Sequence, residues 1–298
     1  MIFNIQPLDP VIISLGPIDL RWYGVIIAFG MLLGFLIANR EAVKKNMPEG
    51  MFIDLMFYII LASLIGARLY YVFFNLDYYL QDPISIIMVN EGGMAIHGGI
   101  IGGILAGLVY CYKNNLSFFQ VADIAIPSLI LGQAIGRWGN FMNQEAHGGE
   151  VTRNFLESLM LPEFIINQMY IDGAYYHPTF LYESVWNIIG FIILMLLRPK
   201  LKIGQTMLLY LFYYSIGRFF IEGMRTDSLM IGDALRTAQV ISIITVIVAA
   251  AIWIYRSRNY NLPKYGNVDG VYDPDNKRRK KQSKTKGRPV NKKHKRKK

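Results

Sequence analysis

Long, nearly uninterrupted apolar stretches are the feature of this 298-residue sequence that most limits its possible folds. Each of seven such stretches approaches the roughly 20 residues that an α-helix needs to cross a bilayer. They are Trp22–Asn39, Phe52–Phe74, Met94–Tyr112, Phe118–Phe141, Thr179–Leu197, Gln205–Ile221 and Ala238–Tyr255. Hydrophobic residues form 53% of the chain, and a soluble core would interrupt such stretches with charges far more often. The sequence therefore predicts an all-α integral membrane protein with seven transmembrane helices.

The positions of lysine and arginine between these stretches predict the orientation of the helices. Basic residues follow the first, third, fifth and seventh stretches: Arg40, Lys44, Lys45, Lys113, Arg198, Lys200, Lys202, Arg256 and Arg258. Residues 75–93 contain no lysine or arginine, and residues 143–178 contain only Arg153. Because basic flanks stay in the cytoplasm, we expect an external N-terminus and a cytoplasmic C-terminus. Residues 143–178 are then a small external cap between the fourth and fifth helices.

The net charge of +10 arises from the end of the chain. Fourteen of the 31 lysines and arginines lie between Lys277 and Lys298, where no acidic residue occurs. A segment of this composition cannot bury enough apolar surface to fold alone. We therefore expect a transmembrane catalytic domain over residues 1–260 and a disordered basic cytoplasmic tail over residues 261–298. Such a tail suits an anionic lipid surface better than a specific nucleic acid.

Polar side chains that would lie within the membrane gather at one depth. The predicted orientation brings a group of them toward the outer side: Tyr23, Arg68, His97, Arg137, Asn140, Arg218 and Glu222, with Asn143, Glu145 and Arg225 just beyond. Charged groups in the hydrocarbon region are costly and by default mark function. Scattered structural residues would not converge in this way, so the sequence predicts a functional site at the outer leaflet.

The arginines of this group favour an anionic ligand. Arg218, Glu222 and Arg225 share one helix face, and Glu222 is expected to hold Arg218. Guanidinium groups match the geometry of phosphate, and the abundant phosphates at a membrane surface are lipid headgroups. His97 is a candidate general base, because neighbouring cations favour neutral imidazole. For Arg225, anchoring of the helix end at the interface is an equal alternative.

Glycines follow the histidine in the sequence HGGIIGGILAG. Small residues at this spacing let a second helix approach closely, and we assign that role to the later glycines. Gly98 and Gly99, beside His97, are expected to leave room for a substrate. Tyr23 and Tyr214 could reach a phosphate or a peptide, although interfacial anchoring of their rings is a nearly equal alternative.

Six motifs resemble those of the bacterial prolipoprotein diacylglyceryl transferases. The longest is GRWGNFMNQEAHG at residues 136–148. The others are RWYG at 21–24, GARLYYV at 66–72, HGG at 97–99, HPTFLYE at 177–183 and RFFIEGMR at 218–225. The similarity covers residues 19–255 and leaves the basic tail outside.

The resemblance implies a monomeric, multi-pass transferase of the bacterial cytoplasmic (inner) membrane that uses no metal and no other cofactor. In this family phosphatidylglycerol supplies an sn-1,2-diacylglyceryl group. The lipobox cysteine of a prolipoprotein signal peptide accepts it as a thioether, and sn-glycerol 1-phosphate leaves. Because the thiol arrives with the substrate, Cys111, the single cysteine of the chain, is expected to be a packing residue.

The resemblance also allows roles to be assigned as expectations. His97 would accept the thiol proton, since the thiolate is the reactive form. Arg137 and Arg218 would bind the phosphate and offset charge on the leaving group, with Glu222 orienting Arg218. The expected phosphatidylglycerol site comprises Arg137, Asn140, Asn143, Glu145, Tyr23, Arg68, Gly98, Gly99, Tyr214 and Arg225.

Three other classes of membrane protein fit the sequence less well. A lipid flippase or secondary transporter, the main alternative, would place its polar groups at the midplane of a duplicated architecture, and neither feature is visible. A CDP-alcohol phosphotransferase would need an Asp-rich metal motif, whereas Asp172-Gly173 and Asp269-Gly270 stand alone. An intramembrane serine protease would need a GxSG motif, which the sequence lacks.

Overall fold

Long helices dominate the computed structural model, which describes residues 7–16, 18–88, 92–231 and 235–272. Six helices are long and apolar enough to cross a membrane. They are α1 (Trp22–Lys44), α2 (Met51–Phe74), α4 (Ile96–Lys113), α5 (Phe118–Met142), α8 (Thr179–Leu197) and α10 (Thr237–Asn259). Their bounds agree with six of the predicted stretches to within a few residues. A mostly helical, multi-pass membrane architecture is therefore confirmed.

The remaining predicted stretch, Gln205–Ile221, corresponds to α9 (Gln205–Met224). Three tyrosines, Arg218 and Glu222 lower the hydropathy of this helix, and composition alone does not identify it as a span. It nevertheless packs against both α8 and α10. A helix that turns charged residues toward its neighbours can be less apolar than one that faces lipid.

The expectation of an all-α fold is incomplete, because three small sheets accompany the helices. Strands β1 (Val11–Leu15) and β2 (Ile18–Arg21) form an antiparallel hairpin directly before α1. Strands β3 (Glu150–Val151), β4 (Tyr170–Ile171) and β5 (Ala174–Tyr176) form a sheet in the order β3-β5-β4, and β6 (Met230–Ile231) pairs with β7 (Leu235–Arg236). Strands this short offer too few alternating positions to be recognised from sequence.

The segment between α5 and α8 is a folded unit with a core of its own. It contains the three-stranded sheet and two short helices, α6 (Arg153–Ser158) and α7 (Glu163–Gln168). Leu156, Ile165 and Ile166 are buried there, each with at most 4% of its surface exposed. The hydroxyl of Thr152 accepts a hydrogen bond from the backbone of Phe155 and caps α6. The segment expected to form a cap is therefore an ordered insertion.

The residues directly after α10 are hydrogen-bonded to the segment between α8 and α9. The backbone N–H of Ile203 donates to the carbonyl of Pro263, and that of Tyr265 donates to the carbonyl of Leu201 at 2.7 Å. Tyr265 is 3% exposed. Part of the segment 261–272 is therefore packed against the helices, and the expected division of the chain at residue 261 stays a prediction. The basic run lies within residues 273–298, outside the described part of the chain.

Glycines set the distance between α2 and α4. A Cβ atom at Gly98 would overlap the carbonyl of Gly66 and the side chain of Tyr70, and one at Gly102 would overlap the carbonyl of Ala62. Gly99 also faces α2. Gly98 is thus a position of close packing against α2, and the expected role of Gly98 and Gly99 toward a substrate stays a prediction.

We predict that Gly98→Ala destabilises the protein whereas Gly107→Ala on the same helix does not. Both changes add the same group to a helix. At Gly107, however, the new Cβ would make an ordinary 3.7 Å contact with Phe118, while at Gly98 it would collide with backbone. Overpacking of this kind costs about 1–3 kcal/mol. Thermal unfolding in detergent measures the difference, and equal midpoints for the two variants would contradict the prediction.

Candidate active site

Two arginines meet on one buried glutamate near the ends of three helices. Arg137 lies near the end of α5, Arg218 near the end of α9 and Glu183 near the start of α8. Nη2 of Arg137 is 2.8 Å from Oε2 of Glu183, and Nη1 of Arg218 is 2.9 Å from Oε1. Each oxygen of one carboxylate therefore holds one guanidinium group.

Sequence reasoning missed Glu183 as a site residue. The residue closes the HPTFLYE motif, and its acid group lies in the first turns of a predicted membrane helix, which is itself a signal of function. Its side chain is only 5% exposed. No partner for this acid is evident along the chain, because both of its arginines come from other helices. The contact between α5, α8 and α9 is what makes the residue part of the site.

The predicted pair of Glu222 and Arg218 is present. Oε2 of Glu222 lies 2.6 Å from Nη2 of Arg218, at the expected spacing of four residues on one helix. The two groups form an ion pair that is not aligned as a hydrogen bond. Glu222 is 3% exposed, and its backbone carbonyl also accepts a hydrogen bond from Arg236. Arg218 is thus held by two carboxylates.

The segment that leaves α5 fixes the start of α8. The hydroxyl of Thr179 donates to the carbonyl of Ala146, and the backbone N–H of Gly148 donates to the carbonyl of His177 at 3.0 Å. A Cβ atom at Gly148 would come within 2.7 Å of the His177 side chain, so glycine permits this approach. Because Thr179 is the first residue of α8, these contacts fix the position of the start of that helix and therefore the position of Glu183.

Three polar residues after Arg137 extend the site. Nη1 of Arg137 donates to Oδ1 of Asn140 at 3.4 Å, and Nδ2 of Asn140 donates to Oε1 of Glu145 at 2.8 Å. These contacts form a chain from the guanidinium to the exposed carboxylate. Oδ1 of Asn143 is buried and has no hydrogen-bond partner among the residues that the structure describes.

An apolar cavity of about 630 Å³ opens beside Arg137 and Asn140. It lies between α1, α2 and α5, and it extends away from the arginine toward Ala38 and Phe52. Most lining residues are apolar or small: Ile27, Gly30, Met31, Gly34, Phe35, Leu55, Met56, Ile59, Ala125, Leu129, Gly132 and Gly136. Its volume falls within the usual range for ligand pockets, and its one charged lining residue marks the end at which a ligand headgroup would lie.

The two predicted tyrosines take different positions. Tyr23 lines the cavity together with Arg137, and its ring lies against Gly139 of α5. Tyr214 stacks on Tyr210 with 5.7 Å between ring centroids and packs into the core between α5, α8 and α9. Tyr23 is therefore placed to contact a ligand, whereas the contacts of Tyr214 are those of a core residue.

His97 lies in the first turn of α4, next to a residue that lines the cavity. The preceding residue, Ile96, lines the cavity, and the His97 ring faces Tyr70 with 6.2 Å between centroids. Within the described ranges, no hydrogen bond joins His97 to Arg137 or Arg218. The expected grouping of the histidine with the two arginines is therefore not formed by direct contact.

Arg68 does not belong to this group, contrary to expectation. Its guanidinium donates to five backbone carbonyls of the segment after α2, which begins with α3 (Leu76–Gln81): Ser85, Ile86, Met88, Gly92 and Gly93. The side chain is buried and organises that segment. Five carbonyl acceptors match the five N–H donors of an arginine. A ligand would have to compete with them.

Arg225 binds an acid outside the arginine pair. Its Nε and Nη2 atoms each donate to one carboxylate oxygen of Asp227 at 2.9 Å. Burial alone would raise the pKa of Asp227, but the two hydrogen bonds from Arg225 outweigh burial, and the pKa is lowered. The backbone of Arg225 pairs with Gly148, which links the end of α9 to the segment after α5.

The arrangement suits an anionic group attached to an apolar chain. Arg137 and Arg218 are 19% and 18% exposed, so both reach a partly open space, and Glu183 engages one nitrogen of each. A guanidinium has five N–H donors, which leaves others for an oxyanion. The adjoining cavity accepts apolar matter. Phosphate esters of lipids combine these two properties.

Comparison with known proteins agrees with this chemistry. Residues 10–255 match the family model described as prolipoprotein diacylglyceryl transferase. The phosphatidylglycerol–prolipoprotein diacylglyceryl transferase of Halalkalibacterium halodurans is 57% identical over 253 residues, covering 85% of this chain and 88% of that protein. The protein of the same name from Staphylococcus aureus strain MSSA476 is 52% identical over 277 residues, covering 93% of this chain and 99% of that protein. The chain therefore belongs to the prolipoprotein diacylglyceryl transferase family.

Proposed function

We propose that this protein transfers the sn-1,2-diacylglyceryl group of phosphatidylglycerol to the lipobox cysteine of prolipoproteins, the first step of lipoprotein maturation. The observation that carries the proposal is the pair of arginines held by Glu183, one of which, Arg137, lines an apolar cavity. The names of the two relatives support it. A phospholipid supplies both an anion for the arginines and an acyl chain for the cavity.

The reaction exchanges one bond at the glyceryl carbon. The sulfur of the lipobox cysteine forms a carbon–sulfur bond, the carbon–oxygen bond to phosphate breaks, and sn-glycerol 1-phosphate leaves with the bonding electrons. His97, which follows the lining residue Ile96, accepts the thiol proton. Arg137 and Arg218 bind the phosphate and stabilise the charge that it gains. Both arginines are pre-oriented because Glu183 holds each of them at a fixed terminal nitrogen.

The other polar residues of the site contact the headgroup. Asn140 and Glu145 brace Arg137 and reach the headgroup glycerol, and Asn143 offers its free acceptor to a glycerol hydroxyl. Tyr23 closes the side of the cavity next to the phosphate. Asparagine and glutamate oxygens are suitable acceptors for hydroxyl groups, which distinguish phosphatidylglycerol from phospholipids with cationic headgroups.

The membrane arrangement that goes with this function has seven spans, counting α9. The N-terminus is external, the C-terminus is cytoplasmic, and the folded insertion between α5 and α8 forms an external cap. Basic residues at the ends of α1, α4 and α10 support this orientation. The arginine pair then lies at the outer leaflet of the bacterial cytoplasmic membrane. The protein acts as a monomer, and its basic tail contacts anionic lipid on the cytoplasmic side.

A lipid flippase or secondary transporter is not favoured as an alternative. Transporters of this kind hold their polar site near the bilayer midplane. Here Arg137, Arg218 and Glu183 lie within two turns of a helix end. The relatives are named as transferases, and the family description agrees.

We expect Arg137→Lys and Arg218→Lys each to lower the rate of transfer by about 100-fold or more, because an ammonium group cannot make the forked contacts of a guanidinium. The control is Arg153→Lys, since Arg153 pairs with Glu157 and Glu163 in the folded insertion. The assay uses membranes, phosphatidylglycerol and a lipobox peptide, with the mass gain of the peptide as readout. Full activity in both lysine variants would overturn the proposed role.

Glu183→Gln tests whether the glutamate orients the arginines. Glutamine keeps the size of the side chain but loses the charge that holds two guanidinium groups, so we expect kcat to fall about 10–100-fold with a smaller change in KM for phosphatidylglycerol. The exposed Glu150→Gln is the matched control. If Glu183→Gln changes thermal stability but leaves kcat at the wild-type value, the glutamate is a structural residue only.

His97→Gln tests the proposed base. Loss of a general base lowers the rate by about 10²–10⁴-fold and removes the acid limb of the pH–rate profile. The measurement is the rate of peptide modification between acidic and alkaline pH in both proteins. A profile of unchanged shape and height would show that lipid phosphate or water accepts the thiol proton instead.

A further inference from the structure

The segment after the last helix is held against the end of α1 by a buried lysine. We call residues 260–272 the clasp. Nζ of Lys45 donates to the carbonyls of Tyr265 and Val268, both at 3.0 Å, and the N–H of Gly270 donates back to the carbonyl of Lys45 at 2.7 Å. The lysine is 7% exposed. A buried ammonium group that has carbonyl acceptors specifies one position for the chain around it.

A buried glutamine holds the clasp to α5 in a similar way. Nε2 of Gln120 donates to the carbonyl of Gly270, and the backbone N–H of Tyr272 donates to Oε1 of Gln120, both at 2.8 Å. Gln120 is 1% exposed. A third contact joins the hydroxyl of Tyr265 to Oε1 of Glu41 on α1 at 2.9 Å. The clasp is therefore fixed to two of the helices that wall the apolar cavity.

These contacts begin where the cavity ends. On α1 the cavity lining reaches Ala38, and the next residues toward the helix end that bind the clasp are Glu41 and Lys45. On α5 the lining reaches Ala125, and Gln120 follows five residues further toward that end. Residues three, four and seven positions apart lie on one face of a helix, so on α1 the face that lines the cavity continues into the face that binds the clasp.

One packed cluster connects the clasp to the end of the cavity. Tyr265 of the clasp is a buried member of the same hydrophobic cluster as Ala38, Phe52 and Leu55, which line the cavity, and Val271 packs against that cluster. Phe52 and Leu55 come from α2, the third wall. The clasp thus packs in the cluster behind the residues that line the cavity at the end remote from Arg137.

The cavity is longer than one leaflet of the bilayer is thick. The lining residues of α5 run from Asn140 to Ala125, which spans about 22 Å at the helical rise of about 1.5 Å per residue. One leaflet of the hydrocarbon core is about 15 Å thick. An acyl chain whose phosphate is bound at Arg137 can therefore extend through the cavity toward the opposite leaflet, and its terminal methyl group comes near Ala38 and Phe52.

We propose that the clasp is the floor of the acyl-chain pocket and limits the length of the fatty acyl chain that the enzyme accepts. The inference rests on the proposed function, since it takes phosphatidylglycerol as the ligand. Tyr265 belongs to the buried cluster of the lining residues Ala38, Phe52 and Leu55, and Ala38 is the small lining residue of α1 at this end.

Two variants of the full chain change the pocket in opposite directions. Tyr265→Ala deepens the pocket, and Ala38→Leu fills its end. Each is assayed with dimyristoyl, distearoyl and dibehenoyl phosphatidylglycerol, and the readout is the ratio of rates for the longest and shortest lipid. We expect this ratio to rise about tenfold in Tyr265→Ala and to fall about tenfold in Ala38→Leu, the range produced by a few methylene groups in a closed pocket.

The controls separate the clasp from general stability and from the tail. Tyr255→Ala removes a tyrosine that is 59% exposed on α10, and deletion of residues 273–298 keeps the clasp; neither is expected to change the ratio. An unchanged ratio in Tyr265→Ala with normal thermal unfolding would overturn the proposal. If Tyr265→Ala does not fold, an unchanged ratio in Ala38→Leu overturns it. A wild-type protein inactive with every phosphatidylglycerol would instead refute the proposed function.

Discussion

The carboxylate of Glu183 is the contact on which the site depends, because it draws two cations from different helices to one point. A charged side chain within a bilayer costs about 2.5–3.5 kcal/mol on insertion scales, and two arginines near one another would add mutual repulsion. In the structure, this cost is offset by Glu183, which lies between the two arginines, and by Glu222, which lies beside Arg218. Two positive and two negative groups form a compact set with no net formal charge. Removal of one partner from such a set costs about 3–5 kcal/mol.

This set requires α5, α8 and α9 to be held at matching heights, and the segments around them meet that requirement. The stretch after α5 bonds to the start of α8 through Thr179 and Gly148, and the backbone of Gly148 also pairs with Arg225 at the end of α9. The folded insertion has its own core around Leu156, and Phe141 and Phe180 connect that core to α5 and α8. The insertion thus supports the helix ends that carry the charges. On the other side, Arg68 binds five carbonyls and orders the segment after α2, so its charge is used for structure.

The apolar cavity links the two polar ends of the helix bundle. At one end lie Arg137 and Asn140, with acceptors suited to a headgroup, and at the other the clasp is anchored by Lys45 and Gln120. Small residues on α1 and α5 leave the space between them open. In the proposed phospholipid site, separate parts of the chain provide the anion receptor, the apolar channel and the floor. The clasp belongs to a segment that composition alone assigns to the tail.

The sequence by itself determined the helical membrane architecture, the bounds of the helices to within a few residues, and most of the polar residues of the site. Length, apolarity and the spacing of Arg218 and Glu222 are local properties, which one chain displays without its fold. Tertiary structure alone decided the role of Glu183, the separation of His97 from the arginines, the use of Arg68 and Gly98 for packing, and the docking of residues 261–272. Each of these depends on which helices touch and at what height. Successive residues of a helix point in directions that differ by about 100°. The depth of a residue in the membrane, read from sequence, therefore does not show which polar groups meet.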